Sequence, residues 1–229
     1  MTCSEYRRHV SQYDAVLFDS DGVLVTPPAY ETQAEATRMA FGDVGVEEPD
    51  RQHVDEVVDG TTAEGIQDIC ASYGVETEEF WQAREHRDEQ SQVEAFRSGS
   101  RDRYDDVAAI RDLPQACGVV SNNHHTTIGF VLDFFDLGPL FETYYGREKT
   151  VRSLGLKKPN THYLDSALAD LGADSALYVG DSEHDLVAAH RAGLDSAFVR
   201  RPHCRDVGLS VTPTYETESL RGLVDLAGV

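Results

Sequence analysis

The 229-residue chain reads as an α/β protein, a doubly wound parallel sheet interrupted by a helical insertion. Three observations predict this. Apolar runs such as Ala15-Val16-Leu17-Phe18 and Ala176-Leu177-Tyr178-Val179 are too short for helices and end in turn residues, as buried strands do. From about residue 115 onward such runs alternate with helical stretches, the pattern of βαβ units. Between about residues 27 and 114 no strand signal occurs. The expected division is an α/β core from 1–25 and 115–229, with a helical insert over 26–114.

Each element follows from local chemistry. The first strand ends in Asp19-Ser20-Asp21-Gly22-Val23, and Pro27-Pro28 stop the extended stretch after it. Helix formers run from Tyr30 to about Phe41, and residues 50–59 are weakly helical. Thr61-x-x-Glu64 has the form of a capping box for a helix to about Ser72, which Gly74 stops. A long helix is expected from Thr77 to Phe96 and a short one from Tyr104 to Arg111. Ala116–Val120 is the second strand, ending in Ser121-Asn122-Asn123, with a helix from about Thr126 to Phe134 after it. Phe141–Tyr145 is a third strand. Asn160 reads as the N-cap of a helix to about Leu171. Ala176–Asp181 is the fourth strand, and a helix from Glu183 to Ala192 is closed by Gly193. Ser196–Arg200 is the fifth strand, and a helix from Ser219 to Leu226 comes last.

Composition narrows the function classes. The chain carries 41 Asp and Glu against 20 Lys and Arg, a net charge of −21. Only Lys149, Lys157 and Lys158 are lysines. This balance argues against nucleic acid and anionic membranes as partners, because phosphate backbones need Lys/Arg stripes. No apolar run approaches the roughly 18 residues of a spanning helix. Met1–Ser11 is polar and lacks the apolar core of a signal peptide. The cysteines, at 3, 70, 117 and 204, form no C-x-x-C, so the expectation is reduced thiols in a cytoplasmic protein. Few lysines among many acids is also the composition of halophilic proteins, whose self-repulsion salt screens. The insert is the more acidic part, with 21 acids and 7 bases over residues 26–110. His124-His125 reads as a polar helix start rather than a metal pair.

Four polar clusters fall at strand ends or just before helices: Asp19/Asp21, Ser121-Asn122, Lys158, and Asp181 with Asp185. In an open parallel sheet, ligands sit beyond the carboxyl ends of the strands. Acids buried there need a cation or a proton to compensate them. Taken singly, each cluster also has a plain structural reading. Asp21 could cap the turn before Gly22, Ser121 could start a helix, and Asp185 could be an exposed acid one helical turn from Asp181. Lys157 reads as the solvent-facing neighbour of Lys158.

Taken together, Asp19-Ser20-Asp21-Gly22-Val23, the Val-Val-Ser-Asn run ending at Asn122, Lys158-Pro159 and Gly180-Asp181-Ser182-x-x-Asp185 resemble the four motifs of the haloacid dehalogenase superfamily. They stand in that family's order and span residues 15–185. The insert matches the position of the family's helical cap. The overall spacing is similar to its phosphoglycolate phosphatase and β-phosphoglucomutase-like branch. The resemblance implies a Rossmann-like core, a phosphoric monoester hydrolase and Mg2+. It implies Asp19 as nucleophile, Asp21 as general acid and base, and Ser121, Asn122 and Lys158 as holders of the phosphoryl group. Asp19, Asp21 through its backbone carbonyl, and Asp181 would hold the metal, with Asp185 binding it or supporting from behind. Asp21 argues against dehalogenation, and the absence of a Gly-x-x-Arg feature in the insert argues against a hexose-phosphate mutase.

Elementary electrostatics points the same way. A carboxylate attacking a dianionic phosphate needs its repulsion cancelled, and two unit charges 4 Å apart interact by about 4 kcal/mol at an effective dielectric near 20. One lysine does not balance four acids and a phosphate; a divalent cation with oxygen ligands does. The partner that the resemblance implies is a small phosphate ester. The readings left open are a phosphatase, a phosphomutase, a receiver-like phospho-accepting module and a catalytically idle binding relative.

Overall fold

A computed structural model of the chain describes residues 12–227. Six parallel strands form one sheet in the order β3-β2-β1-β4-β5-β6. They are β1 (Ala15–Phe18), β2 (Ala116–His124), β3 (Thr143–Arg147), β4 (Ala176–Gly180), β5 (Asp195–Val199) and β6 (Tyr215–Thr217). β1 lies in the middle, with Leu17 opposite Gly118 on β2 and Tyr178 on β4. Every residue of β1 and β4 is buried, which is why both read as unbroken apolar runs. The chain order reverses between β1 and β4, so the crevice expected of such a sheet opens beyond their carboxyl ends.

Four helices make the insert: α1 (Tyr30–Asp43), α2 (Arg51–Gly60), α3 (Ala63–Tyr73) and α4 (Thr77–Arg97). Phe41, Ile66, Phe80 and Trp81 build its apolar centre, and Val151 and Leu154 from the sheet domain complete it. Four more helices pack with the sheet: α5 (His125–Phe134), α6 (His162–Leu171), α7 (Glu183–Arg191) and α8 (Leu220–Ala227). The sheet's largest apolar cluster gathers Val16, Phe18, Val119, Ile128, Leu177 and Val199.

Several boundaries differ from expectation. β2 continues through Ser121-Asn122-Asn123 to His124, and β3 lies two residues later than expected. The helix expected over Tyr104–Arg111 is a tighter 3-10 stretch, Asp105–Asp112. Its Val107 and Ile110, with Leu113, pack into the sheet's cluster. Thr62, not Thr61, caps α3, accepting from Gly65 N–H at 3.0 Å. The edge strand β6 was not foreseen, because an exposed Glu216 between two half-buried residues leaves no apolar run. Cys70, Cys117 and Cys204 are free and buried, whereas Cys3 and the Met1–Ser11 segment lie outside the described residues. Among the described residues no helix is long and apolar enough to cross a membrane.

Candidate active site

Asp19 directly follows β1, and its backbone N–H donates to Val179 O of β4 at 2.9 Å, which ties the two strand tips together. Asp181 follows β4, and Asp185 lies in the first turn of α7. Oxygens of Asp19, Asp181 and Asp185 all lie within 4.8 Å of one another. Gly22 allows this crowding. It adopts φ +80°, and a Cβ there would sit 1.9 Å from Asp181 Oδ2.

Lys158 enters the cluster from below. Its Nζ lies 2.7 Å from Asp185 Oδ1 and 3.1 Å from Asp19 Oδ1, and donates to Tyr178 Oη at 2.5 Å and Val120 O at 3.1 Å. Burial works against its charge, but Asp185 and Asp19 outweigh that and hold the ammonium above the usual lysine range. Asn122 fixes the backbone of Lys158, accepting from its N–H at 2.7 Å and donating to its carbonyl at 3.2 Å. Asp185 Oδ2 accepts from Asp181 N, Ser182 N and Ser182 Oγ at 3.2, 3.0 and 2.7 Å, closing a capping box on α7. Asp185 is thus fully engaged and 1% exposed, not an exposed helix-start acid.

The charges do not balance. Burial pushes the Asp19 carboxyl up to about 8; Lys158 opposes this, and Asp185, Asp181 and Asp21 add to it. Burial also raises Asp181, against a 2.6 Å contact from His203 Nε2. Three carboxylates around one ammonium, all offering hard oxygen donors, fit a divalent cation such as Mg2+.

Asp21 stands at the mouth of the cluster. Arg101 Nη2 donates to its Oδ1 at 2.6 Å and Asn123 Nδ2 to its Oδ2 at 2.7 Å. Arg101 also binds Thr26 O and Gln92 Oε1 at 2.9 Å each, so Asp21 is oriented by both ends of the insert and by α4. Ser121 is buried, and its Oγ accepts only a 3.3 Å bond from Asn123 N–H.

A cavity of about 650 Å³ lies between sheet and insert, lined by Asp19, Asp21, Ser121 and Lys158 at one end and by Trp81, Arg84, Arg147 and Lys157 at the other. At the insert end Glu85 accepts from Arg84 Nη1 and Arg147 Nη2, each at 2.9 Å, and contacts His124 Nε2 at 3.0 Å. Burial works against its charge, but His124 and Arg147 hold its carboxyl well below the usual range. Lys157 is not the solvent-facing lysine expected from sequence. It is half-buried in the lining of the cavity, where the charges of Arg147 and Arg84 act on it. His124 is held in this cluster, whereas His125 starts α5 and stacks on Tyr144 at 4.6 Å.

The sequence reading singled out Asp19, Asp21, Ser121, Asn122, Lys158, Asp181 and Asp185; the structure sets the first five in the lining of one cavity, with the Asn122 amide turned to the Lys158 backbone, and clusters Asp181 and Asp185 with Asp19. It missed Arg101, Gln92, Asn123, Glu85, Arg147 and His203. Asn123 alone carried a local signal, since it extends the Ser121-Asn122 run.

Comparison with known proteins accords with this geometry. The model of the haloacid dehalogenase-like hydrolases matches residues 16–199. The chain belongs to that family. It is 24% identical over 187 residues to a 5'-nucleotidase of Pseudomonas aeruginosa, covering 80% of each protein. It is 25% identical over 129 residues to the pyrophosphatase PpaX of Oceanobacillus iheyensis, covering 55% of this chain and 58% of that one. Among solved structures, CbbY of Rhodobacter sphaeroides in complex with phosphate superposes with a TM-score of 0.69 at 19% identity, over 95% of this chain and 100% of that chain. A magnesium-bound HAD-hydrolase, YfnB of Bacillus subtilis, gives 0.61 at 18% identity, over 95% and 99%. The expected class, a hydrolase of the haloacid dehalogenase type, stands.

Proposed function

We propose that the protein is a Mg2+-dependent phosphatase that hydrolyses a small phosphate monoester through an aspartyl-phosphate on Asp19. The observation that carries this reading is the cluster of Asp19, Asp181 and Asp185 oxygens within 4.8 Å, backed by Lys158. Asp19, the backbone carbonyl of Asp21, and Asp181 would hold Mg2+, with Asp185 seated behind them. The ion would supply the positive charge that lets a carboxylate approach a phosphate dianion.

The chain's own residues do the rest. Lys158, fixed by Asn122, neutralises Asp19 and one phosphoryl oxygen, and Ser121 Oγ donates to another. Asp19 attacks phosphorus, and the phosphorus–oxygen bond to the alcohol breaks while Asp21 protonates the leaving oxygen. Asp21 then takes a proton from water as that water attacks the acyl phosphate, which frees Asp19 and inorganic phosphate. Splitting the reaction this way lets one carboxyl group serve as acid and then as base.

The insert over the cavity speaks against a receiver module, since receivers carry no cap. The acidic, lysine-poor composition supports a salt-rich cytoplasm as the place of action. The test is release of inorganic phosphate from p-nitrophenyl phosphate with Mg2+ and with EDTA. Turnover that needs the metal is expected. Metal-independent turnover, or labelling by acetyl phosphate without release, would overturn the reading.

A further inference from the structure

The cavity holds more positive charge than the reacting phosphate requires. At its insert end the amino group of Lys157 finds no hydrogen-bond or ion-pair partner among the described residues, although the residue is half-buried in the cavity lining. Arg84 Nε is also buried without a partner. The guanidinium carbons of Arg84 and Arg147 sit 5.5 and 5.7 Å from the centre of the Trp81 ring. Arg147 is engaged through all three of its nitrogens, by Glu85, Asn122 O and Glu148 O. Lys157 and Arg84 are not. The acids facing them are Glu85, already shared by two arginines, and Asp88, 3.7 Å from Arg84. Three cations therefore meet two buried carboxylates, with the exposed Asp59 also in the cavity lining, inside a protein of net charge −21. An unpartnered, partly desolvated ammonium carries a cost that an arriving anion would offset. Two of the chain's three lysines line this one cavity, one at each end.

We infer that the insert end is a second anion subsite: the substrate is a phosphate monoester carrying a further anionic group, a carboxylate or a second phosphate, which Lys157 and Arg84 receive. This rests on the phosphatase reading and adds the substrate class to it. Arg147, locked against Glu85, supplies field rather than contact. Trp81 forms the wall between the two guanidiniums. Asp88, whose Oδ1 is likewise unpartnered, sets a limit on the site, because it disfavours an anion placed on its side of Arg84.

Trp81 is the only tryptophan in the chain, so its emission reports this end of the cavity without any turnover. The experiment titrates the full-length protein, with free Mg2+ held constant, with three non-hydrolysable ligands. Ethylphosphonate carries no second anion, phosphonoacetate carries a carboxylate, and methylenediphosphonate carries a second phosphonate. At least one of the latter two should bind about tenfold or more tighter than ethylphosphonate, the size expected for one charged hydrogen bond. Which of them gains more identifies the group. Lys157→Gln, and independently Arg84→Gln, should narrow that gap. Equal affinity for all three ligands, a gap unchanged in both variants, or no response of Trp81 would overturn the subsite. Failure of the phosphatase reading would show separately, as wild-type protein that binds these ligands yet releases no phosphate from p-nitrophenyl phosphate.

Discussion

At the sheet end of the cavity three carboxylates, Asp19, Asp181 and Asp185, crowd around one ammonium, Lys158. At the insert end three cations, Lys157, Arg84 and Arg147, lean chiefly on one carboxylate, Glu85. Each end is out of balance, in opposite senses. The first has room for a cation and the second for an anion; the first is buried and the second combines the buried Arg84 and Arg147 with the half-buried Lys157, where charge is screened less than at the surface. A protein selected for stability alone would cancel these charges locally. Their persistence at the two ends of one cavity is the mark of a site completed by its ligands.

The largest effect expected from breaking this arrangement is chemical. Asp19→Asn removes the attacking carboxylate and leaves the insert end untouched. Turnover should fall by roughly 10⁴-fold or more, as when a nucleophile is deleted elsewhere. Steady-state assay of phosphate release checks this. The same variant should still report ligands through Trp81, so loss of both signals together would mean that the two ends are not separable.

Next comes stability, where one chemical change made at both ends should give unequal results. Glu85→Gln leaves Arg84 and Arg147 buried with Asp88 as their remaining acid, and should cost about 3–5 kcal/mol. Asp185→Asn also disturbs a buried pair. There, however, Asp19 remains 3.1 Å from Lys158 and is relieved of a repelling neighbour, so about 1–2 kcal/mol is expected. Urea unfolding of the metal-free proteins decides it. The reverse order would show that the sheet end is not in acid surplus.

The two ends were not equally legible in the sequence. Asp19 and Asp181 could be found because each follows a short apolar run, and a strand tip is a local pattern. The insert end has no such pattern. Arg147 meets Glu85 across 62 residues, and Arg101 meets Asp21 across 80. α4 buries Arg84, Glu85, Asp88 and Gln92 along with Phe80, Trp81 and Phe96, so its inward face is largely polar and lacks the apolar stripe that reveals a packed face. Lys157 and Lys158 are adjacent and chemically identical, and which one turns towards Asp19 is settled by Asn122, 36 residues away. The sheet was readable because fully buried parallel strands are continuously apolar. β6 was not, because an edge strand of three residues has too little burial to shape its composition.

A smaller effect follows from Lys157 alone. Burial, aided by Arg147 and Arg84, pushes its ammonium down to about 8. In the unfolded chain it would titrate near 10.4, so between those values the unfolded state binds the extra proton and stability rises with pH. Below about pH 8 the folded protein carries the full cost of the buried charge. Lys157→Met should therefore stabilise the ligand-free protein by about 2–3 kcal/mol at pH 7, with the gain shrinking towards pH 10.5. Thermal unfolding across that range measures it. A gain that stayed constant with pH would assign the effect to packing, and a loss would remove the cationic surplus from the comparison.

The smallest effect concerns how an anion reaches this cavity. The insert that covers it has 21 acids and 7 bases over residues 26–110, so an incoming phosphate ester meets a repelling surface before it meets the buried cations. Salt acts unequally on the two. Surface charges are screened beyond a Debye length that falls from about 8 Å at 0.15 M to about 3 Å at 1 M, while buried groups are screened far less. Raising KCl from 0.2 M to 2 M should thus lift kcat/KM for an anionic ester, by roughly two- to fivefold, and more steeply for esters of higher charge. A steady fall over that range would mean that attraction by Lys157, Arg84 and Arg147 extends past the insert's surface and governs approach as well as binding.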